Sequence, residues 1–169
     1  RLLRQDGATR WLWTRTFPIR DEKGCVYRIG AVTEDITTRR EQEEQLRFSE
    51  EKFRRLFENS PVGIALVSLD YRLAEVNPAF CHMLGYSREE LMAKRFFEFI
   101  HPDDIARTRE KVAILASEGK VINFENRYQC KNGTYRWLEW TAAPAGSLIY
   151  AAARDVTERL KEEAEARQH

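Results

Sequence analysis

The feature that most constrains this chain is an internal repeat. Near the start runs Asp6-Gly7-Ala8-Thr9-Arg10-Trp11-Leu12, and 126 positions later runs Asn132-Gly133-Thr134-Tyr135-Arg136-Trp137-Leu138. The offset holds from Arg1/Arg127 to Pro18/Pro144. The first copy then carries six extra residues within Ile19 to Arg28, and the offset falls to 120. Ile29, Ala31, Asp35, Thr37 and Arg39 match Ile149, Ala151, Asp155, Thr157 and Arg159. Eleven identities in 29 aligned pairs compare with roughly two expected by chance at average composition. One structural unit is therefore present twice.

The repeated unit reads as a β-meander. Asp6-Gly7 and Asn132-Gly133 suit a type I′ turn, whose two central residues need φ > 0. Aromatic and β-branched residues fill the flanks: Thr9–Phe17, Val26–Ile36, Ile122–Tyr128, Tyr135–Thr141 and Leu148–Ala153. Each meander runs into a charged helix. The first, residues 39–57, places Leu46, Phe53 and Leu56 on a heptad seam with Ser49 in the gap. Two heptads suit either a solvated amphipathic helix or a dimeric coiled coil.

Residues 58–120 have no counterpart in the first copy. Val62–Ser68 and Leu73–Val76 read as strands, and Asn77-Pro78 as a helix start. Gly85 ends that helix, and Ser87-Arg88-Glu89-Glu90 has capping-box spacing. Asp103 and Asp104 stand where they can cap Ile105–Ser117, which Gly119 closes. Two strands, short helices, one longer helix, three antiparallel strands and an exit helix make an α+β fold.

Composition removes several function classes. There are 28 basic and 27 acidic residues, so no basic excess points to nucleic acid. Mean hydropathy is −0.60, and the longest apolar run, Pro61–Leu69, falls short of a ~18-residue membrane span. Cys25, Cys81 and Cys130 are few, odd in number and dispersed, against a disulfide framework or thiolate cage. A reducing, cytoplasmic setting is expected, whether the whole protein is soluble or membrane-anchored. The chain starts at Arg1 and ends within the helical pattern Lys161–His169, so a piece of a longer protein is expected.

Residues from about Ser49 to Arg159 resemble a PAS domain with its closing PAC-type meander. The resemblance rests on motifs in order: Phe57-Glu58-Asn59-Ser60-Pro61-Val62-Gly63-Ile64, Val76-Asn77-Pro78-Ala79-Phe80, Leu84-Gly85-Tyr86-Ser87, His101-Pro102-Asp103-Asp104, Lys131-Asn132-Gly133 with Trp137, and Arg154-Asp155-Val156-Thr157-Glu158-Arg159. It implies a five-stranded antiparallel sheet of order 2-1-5-4-3 with helices over one face. It divides the chain into four parts. Residues 1–38 are the closing meander of a preceding, truncated PAS domain, 39–57 a linker or coiled-coil helix, 58–158 a complete PAS domain, and 159–169 the start of an output helix.

No catalytic motif appears. The chain has no Gly-x-x-x-x-Gly-Lys-Ser/Thr or Gly-x-Gly-x-x-Gly phosphate loop, no Gly-x-Ser-x-Gly and no His-Glu-x-x-His. Haem-binding relatives present a His from the long helix, and Ile105–Ser117 has none. The histidines are His82, His101 and His169, and adjacent Cys81 and His82 diverge by ~100° on a helix, so no metal site is expected. The flavin light-sensor motif is replaced by Ala93-Lys94-Arg95-Phe96-Phe97-Glu98-Phe99, without the reactive Cys. No cofactor is predicted.

An unidentified small ligand is the open case. Ile64, Leu66, Phe80, Leu84, Leu91, Phe96, Phe99, Ile100, Val112, Leu115, Phe124, Asn126, Tyr128, Trp140 and Tyr150 stand where they can line a space between sheet and helices. Their size favours a filled core, while Ala151-Ala152-Ala153 removes volume. Asn126, Arg127 and Tyr128 are the candidates for orienting a ligand, and Glu125 with Arg127 reads as a surface ion pair. Asp35, Thr37 and Arg39, and again Asp155, Thr157 and Arg159, mark strand-to-helix junctions where Asp and Thr oxygens can bond free helix N–H groups. In PAS families this junction passes the signal onward. The resemblance therefore implies a sensory or relay module that homodimerises through its flanking helices. It would act on an output domain of the same chain, a histidine kinase first and a diguanylate cyclase second. A ligand-free dimerisation module is the further alternative. Trp137, repeated at Trp11, is expected to be structural.

Overall fold

The computed structural model describes residues 1–167, and at Ala116 and Ile122 the backbone alone. The chain divides into two compact units, Arg1–Arg54 and the residues from Arg55 onward.

The first unit holds short strands β1 (Leu2–Leu3) and β2 (Thr9–Arg10), then a long hairpin of β3 (Leu12–Arg20) and β4 (Val26–Asp35). Gly7 at φ 82° sits in the first turn and Gly133 at φ 86° in its counterpart, but Asp6 and Asn132 do not have positive φ, so neither is the type I′ turn expected. The Asp6 carboxylate accepts the Ala8 N–H. The second turn is held by Asp21, whose carboxylate accepts N–H groups of Lys23 and Cys25. Strand β3 begins at Leu12. Helix α1 then runs Thr37–Asn59, two residues longer at each end than expected.

The second unit is the α+β fold the sequence implies. Its elements are β5 (Gly63–Ser68), β6 (Leu73–Val76), α2 (Pro78–Leu84), α3 (Arg88–Met92), 3₁₀ turns at Phe96–Phe99 and Pro102–Asp104, α4 (Ile105–Glu118), β7 (Val121–Gln129), β8 (Tyr135–Ala145), β9 (Leu148–Asp155) and α5 (Thr157–Ala166). The sheet is antiparallel in the order β6-β5-β9-β8-β7, the 2-1-5-4-3 order expected. Phe80, Leu84, Leu91, Val76 and Leu138 are fully buried between sheet and helices. Gly85 and Gly119 end α2 and α4 in the left-handed conformation. Ser87 and Glu90 close a capping box on α3.

Asn77 does more than cap. Its Oδ1 accepts N–H groups of Phe80 and Ile64, and its Nδ2 donates to carbonyls of Phe57 and Val62. One fully buried amide therefore ties the start of α2 to β5 and to the segment before it. Asp104 departs from expectation. It has helical dihedrals and no capping bond, and its carboxylate turns to Arg127 instead. The His101 Nδ1 accepts the Asp103 N–H and so caps the second 3₁₀ turn.

The repeat persists bond by bond. Leu12–Asp35, Trp13–Glu34 and Pro18–Ile29 pair across the first hairpin as Leu138–Asp155, Glu139–Arg154 and Pro144–Ile149 pair in the second. Burial differs. Leu138 is 0% exposed and Leu12 is 37% exposed, because β3 and β4 have no flanking strands within their unit. Phe17 lies over Gly30, where a Cβ would meet its ring at 2.6 Å. In the second copy the same cross-strand pair is Ala143 and Tyr150, so the large member has changed strands. Among the described residues no helix is long and apolar enough to cross a membrane.

Candidate functional site

Two places concentrate the chemistry: the junction between β9 and α5, and the interior between sheet and α4. At the junction the Asp155 Oδ1 accepts the Thr157 N–H at 3.0 Å and its hydroxyl at 2.6 Å. The Thr157 hydroxyl in turn accepts the Trp137 N–H from β8 at 3.0 Å. The Trp137 carbonyl accepts the Val156 N–H at 2.9 Å. Arg136 pairs with the outer oxygen of Asp155. Burial pushes the Asp155 carboxyl up, but the Thr157 hydroxyl and N–H and Arg136 outweigh it, and the net shift is downward. The Asp bond to the helix N–H is as the sequence suggests. The Thr bond is not: it reaches the neighbouring strand rather than the helix. The first residue of α5 is thereby stitched to two strands.

The first unit repeats this. Asp35 accepts the Thr37 N–H at 3.0 Å and its hydroxyl, Thr37 accepts the Trp11 N–H at 2.8 Å, and the Ile36 N–H reaches the Trp11 carbonyl at 2.8 Å. The Thr37 hydroxyl holds the Asp35 carboxyl below its usual range. The backbones of Trp11 and Trp137 carry these bonds. Both residues are partly buried, and each ring lies under a guanidinium, Arg40 at 4.0 Å and Arg127 at 5.2 Å.

The arginines of the two motifs part company. Arg159 reaches Glu125 of β7 at 2.5 Å and Glu139 of β8 at 3.3 Å. Among the described residues Arg39 pairs only with Glu43, one turn along its own helix. The position matching Glu139 is Trp13, which offers no carboxylate. The expected Glu125–Arg127 pair is absent: Glu125 goes to Arg159, and Arg127 goes to Asp104.

The interior holds a cavity of about 80 Å³ with mainly apolar walls. Its floor comes from register. Ala65 of β5, Ala151 of β9 and Ala142 of β8 pair in one row across three strands. All three line the space, and methyl groups leave it open. Of the predicted pocket residues, Phe96, Val112, Leu115, Phe124, Asn126, Tyr128 and Trp140 line it. Phe80, Leu84 and Phe99 are buried elsewhere in the core. Tyr150 lies on the opposite sheet face, paired with Leu66 and Ala143, because side chains alternate and Ile149 and Ala151 take the inner face. The same alternation sets Ile64 and Leu66 outward and Ala65 and Val67 inward. Thr108, Lys111, Val112 and Leu115 of α4 complete the wall.

A polar thread borders this cavity. Trp140 Nε1 donates to Asn126 Oδ1 at 2.8 Å, Asn126 Nδ2 to the Thr108 hydroxyl at 3.1 Å, and Thr108 to the Asp104 carbonyl at 2.7 Å. The Asp104 carboxylate takes three bonds from Arg127, at 2.8 Å from its N–H, 3.0 Å from Nε and 2.9 Å from Nη2. Arg127 holds the Asp104 carboxyl below its usual range. Thr108 and Asp104 carry no sequence signal for this role, since only the docking of α4 on β7 brings them to Asn126 and Arg127.

His82 Nδ1 faces the Pro78 carbonyl one turn back. Among the described residues no three His, Cys, Asp or Glu side chains are placed to hold a metal. His169, at the end of the exit-helix segment 159–169, lies outside the described residues.

Comparison with known proteins agrees with this geometry. Residues 73–148 match a family described as PAS fold. The two-component sensor PprA of Pseudomonas aeruginosa is 28% identical over 163 residues, 93% of this chain and 18% of that protein. The probable diguanylate cyclase DgcE of Escherichia coli is 34% identical over 90 residues, 53% of this chain and 8% of that protein. A domain of a sensory box sensor histidine kinase/response regulator from Geobacter sulfurreducens superposes with a TM-score of 0.59 at 27% identity, covering 65% of this chain and 96% of that one. The chain spans less than a fifth of the two curated relatives.

Proposed function

The second unit is a PAS domain of the kind found in signalling proteins, and we propose that it is a sensory or relay module acting through α5 on an output domain of the same protein. The observation that carries this is the doubled junction. Asp155, Thr157 and Trp137 tie the first residue of α5 to two strands, so a displacement of β8 against β9 has a direct mechanical route into the helix. The same bonds at Asp35, Thr37 and Trp11 give the first unit the same route into α1. On this reading the first unit is the closing meander of a further PAS domain, and the chain is a serial relay.

The output we propose is a histidine kinase, supported by the likeness to PprA and to the Geobacter domain. The likeness to DgcE favours a diguanylate cyclase as the second reading. This segment is assigned no catalytic step of its own. Leu46 and Leu56 on α1 are more than 60% exposed, which supports homodimerisation through that helix. The three free cysteines suit a reducing, cytoplasmic setting.

The test is Thr157→Val in the whole protein, with Thr157→Ser as control. Autophosphorylation, or cyclic dinucleotide synthesis on the second reading, should change basal rate in the Val variant and return with Ser. An unchanged rate in Thr157→Val would sink the relay role.

A further inference from the structure

The start of α4 and the start of α5 meet on two neighbouring residues. Strand β7 is an edge strand, so its outward backbone groups need partners from outside the sheet. At Arg127 those partners come from the segment that opens α4. The Arg127 carbonyl accepts the His101 N–H at 2.9 Å, and the Arg127 N–H donates to the Asp104 carboxylate at 2.8 Å. The guanidinium takes both oxygens of the same carboxylate, through Nε at 3.0 Å and Nη2 at 2.9 Å. The Asp104 side chain is only 6% exposed, so loss of either partner leaves the other charge unpaired in a dry place.

Trp137 stands directly opposite Arg127 in the ladder between β7 and β8. Its ring lies under the same guanidinium at 5.2 Å, within the range of a cation–π contact. The Trp137 N–H and carbonyl are the groups that hold Thr157 and Val156. One guanidinium therefore touches both the residue before α4 and the residue that anchors α5. A parallel route two residues along is weaker. Arg107 donates to the Glu125 carbonyl and the Glu125 carboxylate takes Arg159, but both arginines are about half-exposed, where water readily replaces such bonds.

The repeat isolates what is particular to the second unit. Trp11 has the same backbone bonds, yet the cation over its ring is Arg40, from the helix that its own junction starts. Arg1, the match to Arg127, reaches Thr9, and the match to Arg40 is Leu160. Both copies share the junction, but the cation on its Trp comes from a different element in each. The Asp104 clamp also has a second arrangement within reach. Arg107 lies 3.5 Å from Asp104, and Asp103 lies 3.8 Å from Arg127, so each member has a substitute partner. An exchange of partners gives two discrete states, the kind of element through which one site biases another.

We infer that Arg127 is the positioning residue by which α4 sets how firmly α5 is held. On Asp104 it keeps Trp137 in place for Thr157, and a shift of α4 that moves Asp104 to Arg107 and Arg127 to Asp103 loosens the helix start. This rests on the proposed relay through α5 and names the element that feeds it, but it is measured without any output.

The measure is hydrogen exchange of the Leu160 amide, which bonds the Val156 carbonyl at 3.0 Å, in the 169-residue chain. It is read where the rate does not depend on denaturant, so that only local opening counts. Asp104→Asn should speed it about three- to tenfold, although Asp104 is bonded to β7 and α4. Arg127→Lys keeps the charge but loses the planar fork, so it should match Asp104→Asn, and the double variant should exceed neither. Trp137→Ala keeps the backbone bonds and should make Leu160 insensitive to Asp104→Asn, and Trp137→Phe should restore that sensitivity. Asn77→Asp weakens the unit elsewhere and should leave the Leu160 rate alone. An unchanged rate in Asp104→Asn overturns the coupling and leaves the junction role of Thr157 standing. Equal acceleration by Asn77→Asp overturns it as general loosening. Additive effects in the double variant overturn the role of Arg127, and an Asp104→Asn effect that survives in Trp137→Ala overturns the role of the ring. If Thr157→Val leaves output unchanged while these exchange results hold, the relay fails and the coupling stands.

Discussion

The hydroxyl of Thr157, the first residue of the exit helix, accepts the backbone N–H of Trp137 on a strand that is not its sequence neighbour. A helix start is normally held by the residue before it. Here the Asp155 cap is joined by a bond to the backbone of Trp137 near the start of β8, and Asp35, Thr37 and Trp11 do the same in the first unit.

Thr157→Val removes one hydrogen bond to Trp137 and one to Asp155. The expected cost is about 1–2 kcal/mol, a fall of roughly 4–8 °C in melting temperature for a domain of this size. Thermal unfolding followed by circular dichroism checks it. Thr37→Val should show a comparable change in protection of the first turn of α1 by hydrogen exchange.

Asn77→Ala should be the most damaging single change in the second unit. It strands the N–H groups of Ile64 and Phe80 and the carbonyls of Phe57 and Val62, all bonded by that amide. Unpaired buried groups cost about 1–3 kcal/mol each before relaxation, so a loss of about 3–4 kcal/mol is expected in denaturant unfolding. Asn77→Asp keeps both accepted bonds and loses both donated ones, and should fall between the variant and the parent.

How much of this was legible beforehand follows from what each signal encodes. The repeat, the glycine turns and the caps at Asn77 and Ser87 depend on neighbours in sequence, and they appear where expected. Ala65 and Ala142 looked like ordinary strand residues, because a row of methyls exists only once register sets them beside Ala151. Tyr150, Ile64 and Leu66, candidates for the interior, lie on the outer face of the sheet. Strand phase decides, and it turns Ala65, Val67, Ile149 and Ala151 to the inner face. Asp104 looked like a cap, and only the packing of α4 on β7 shows it facing Arg127. The recurrence of Trp137 is legible, but its junction bonds are backbone bonds that the side chain does not encode.

Asp104 makes stability depend on acid. Its folded carboxyl lies below the ordinary aspartate range because Arg127 holds it. A depressed folded pKa stabilises the native state fully above the unfolded value of ~3.9 and loses that contribution as pH falls toward the folded value. Asp104→Asn should therefore cost about 2–3 kcal/mol at pH 7, as removing one partner of a largely buried pair does. The gap between variant and parent should shrink below about pH 4. Urea titrations at pH 7 and pH 3.5 test this, and a constant gap would show that Arg127 is held by something else.

Arg159 separates the two junctions and gives the last test. It bridges α5 to Glu125 on β7 and Glu139 on β8, so it spans strands that the Thr157 bonds do not both reach. Among the described residues Arg39 holds only Glu43, on its own helix. The Arg159 side chain is about half-exposed, and exposed pairs contribute roughly 0–1 kcal/mol, so Arg159→Ala should barely move the melting temperature. Its effect should be local. Amides in the first two turns of α5 should exchange severalfold faster, because the helix loses its second attachment to the sheet while Thr157 keeps the first. Arg39→Ala should leave α1 exchange near its parent rate, since an i,i+4 pair contributes only a few tenths of a kcal/mol. Raising salt to about 0.5 M should reproduce part of the Arg159→Ala effect by screening, and should add nothing once Arg159 is gone. Equal exchange in Arg159→Ala and the parent would mean that the Asp155–Thr157–Trp137 bonds alone fix the helix, and that Glu125 and Glu139 take no part in its coupling.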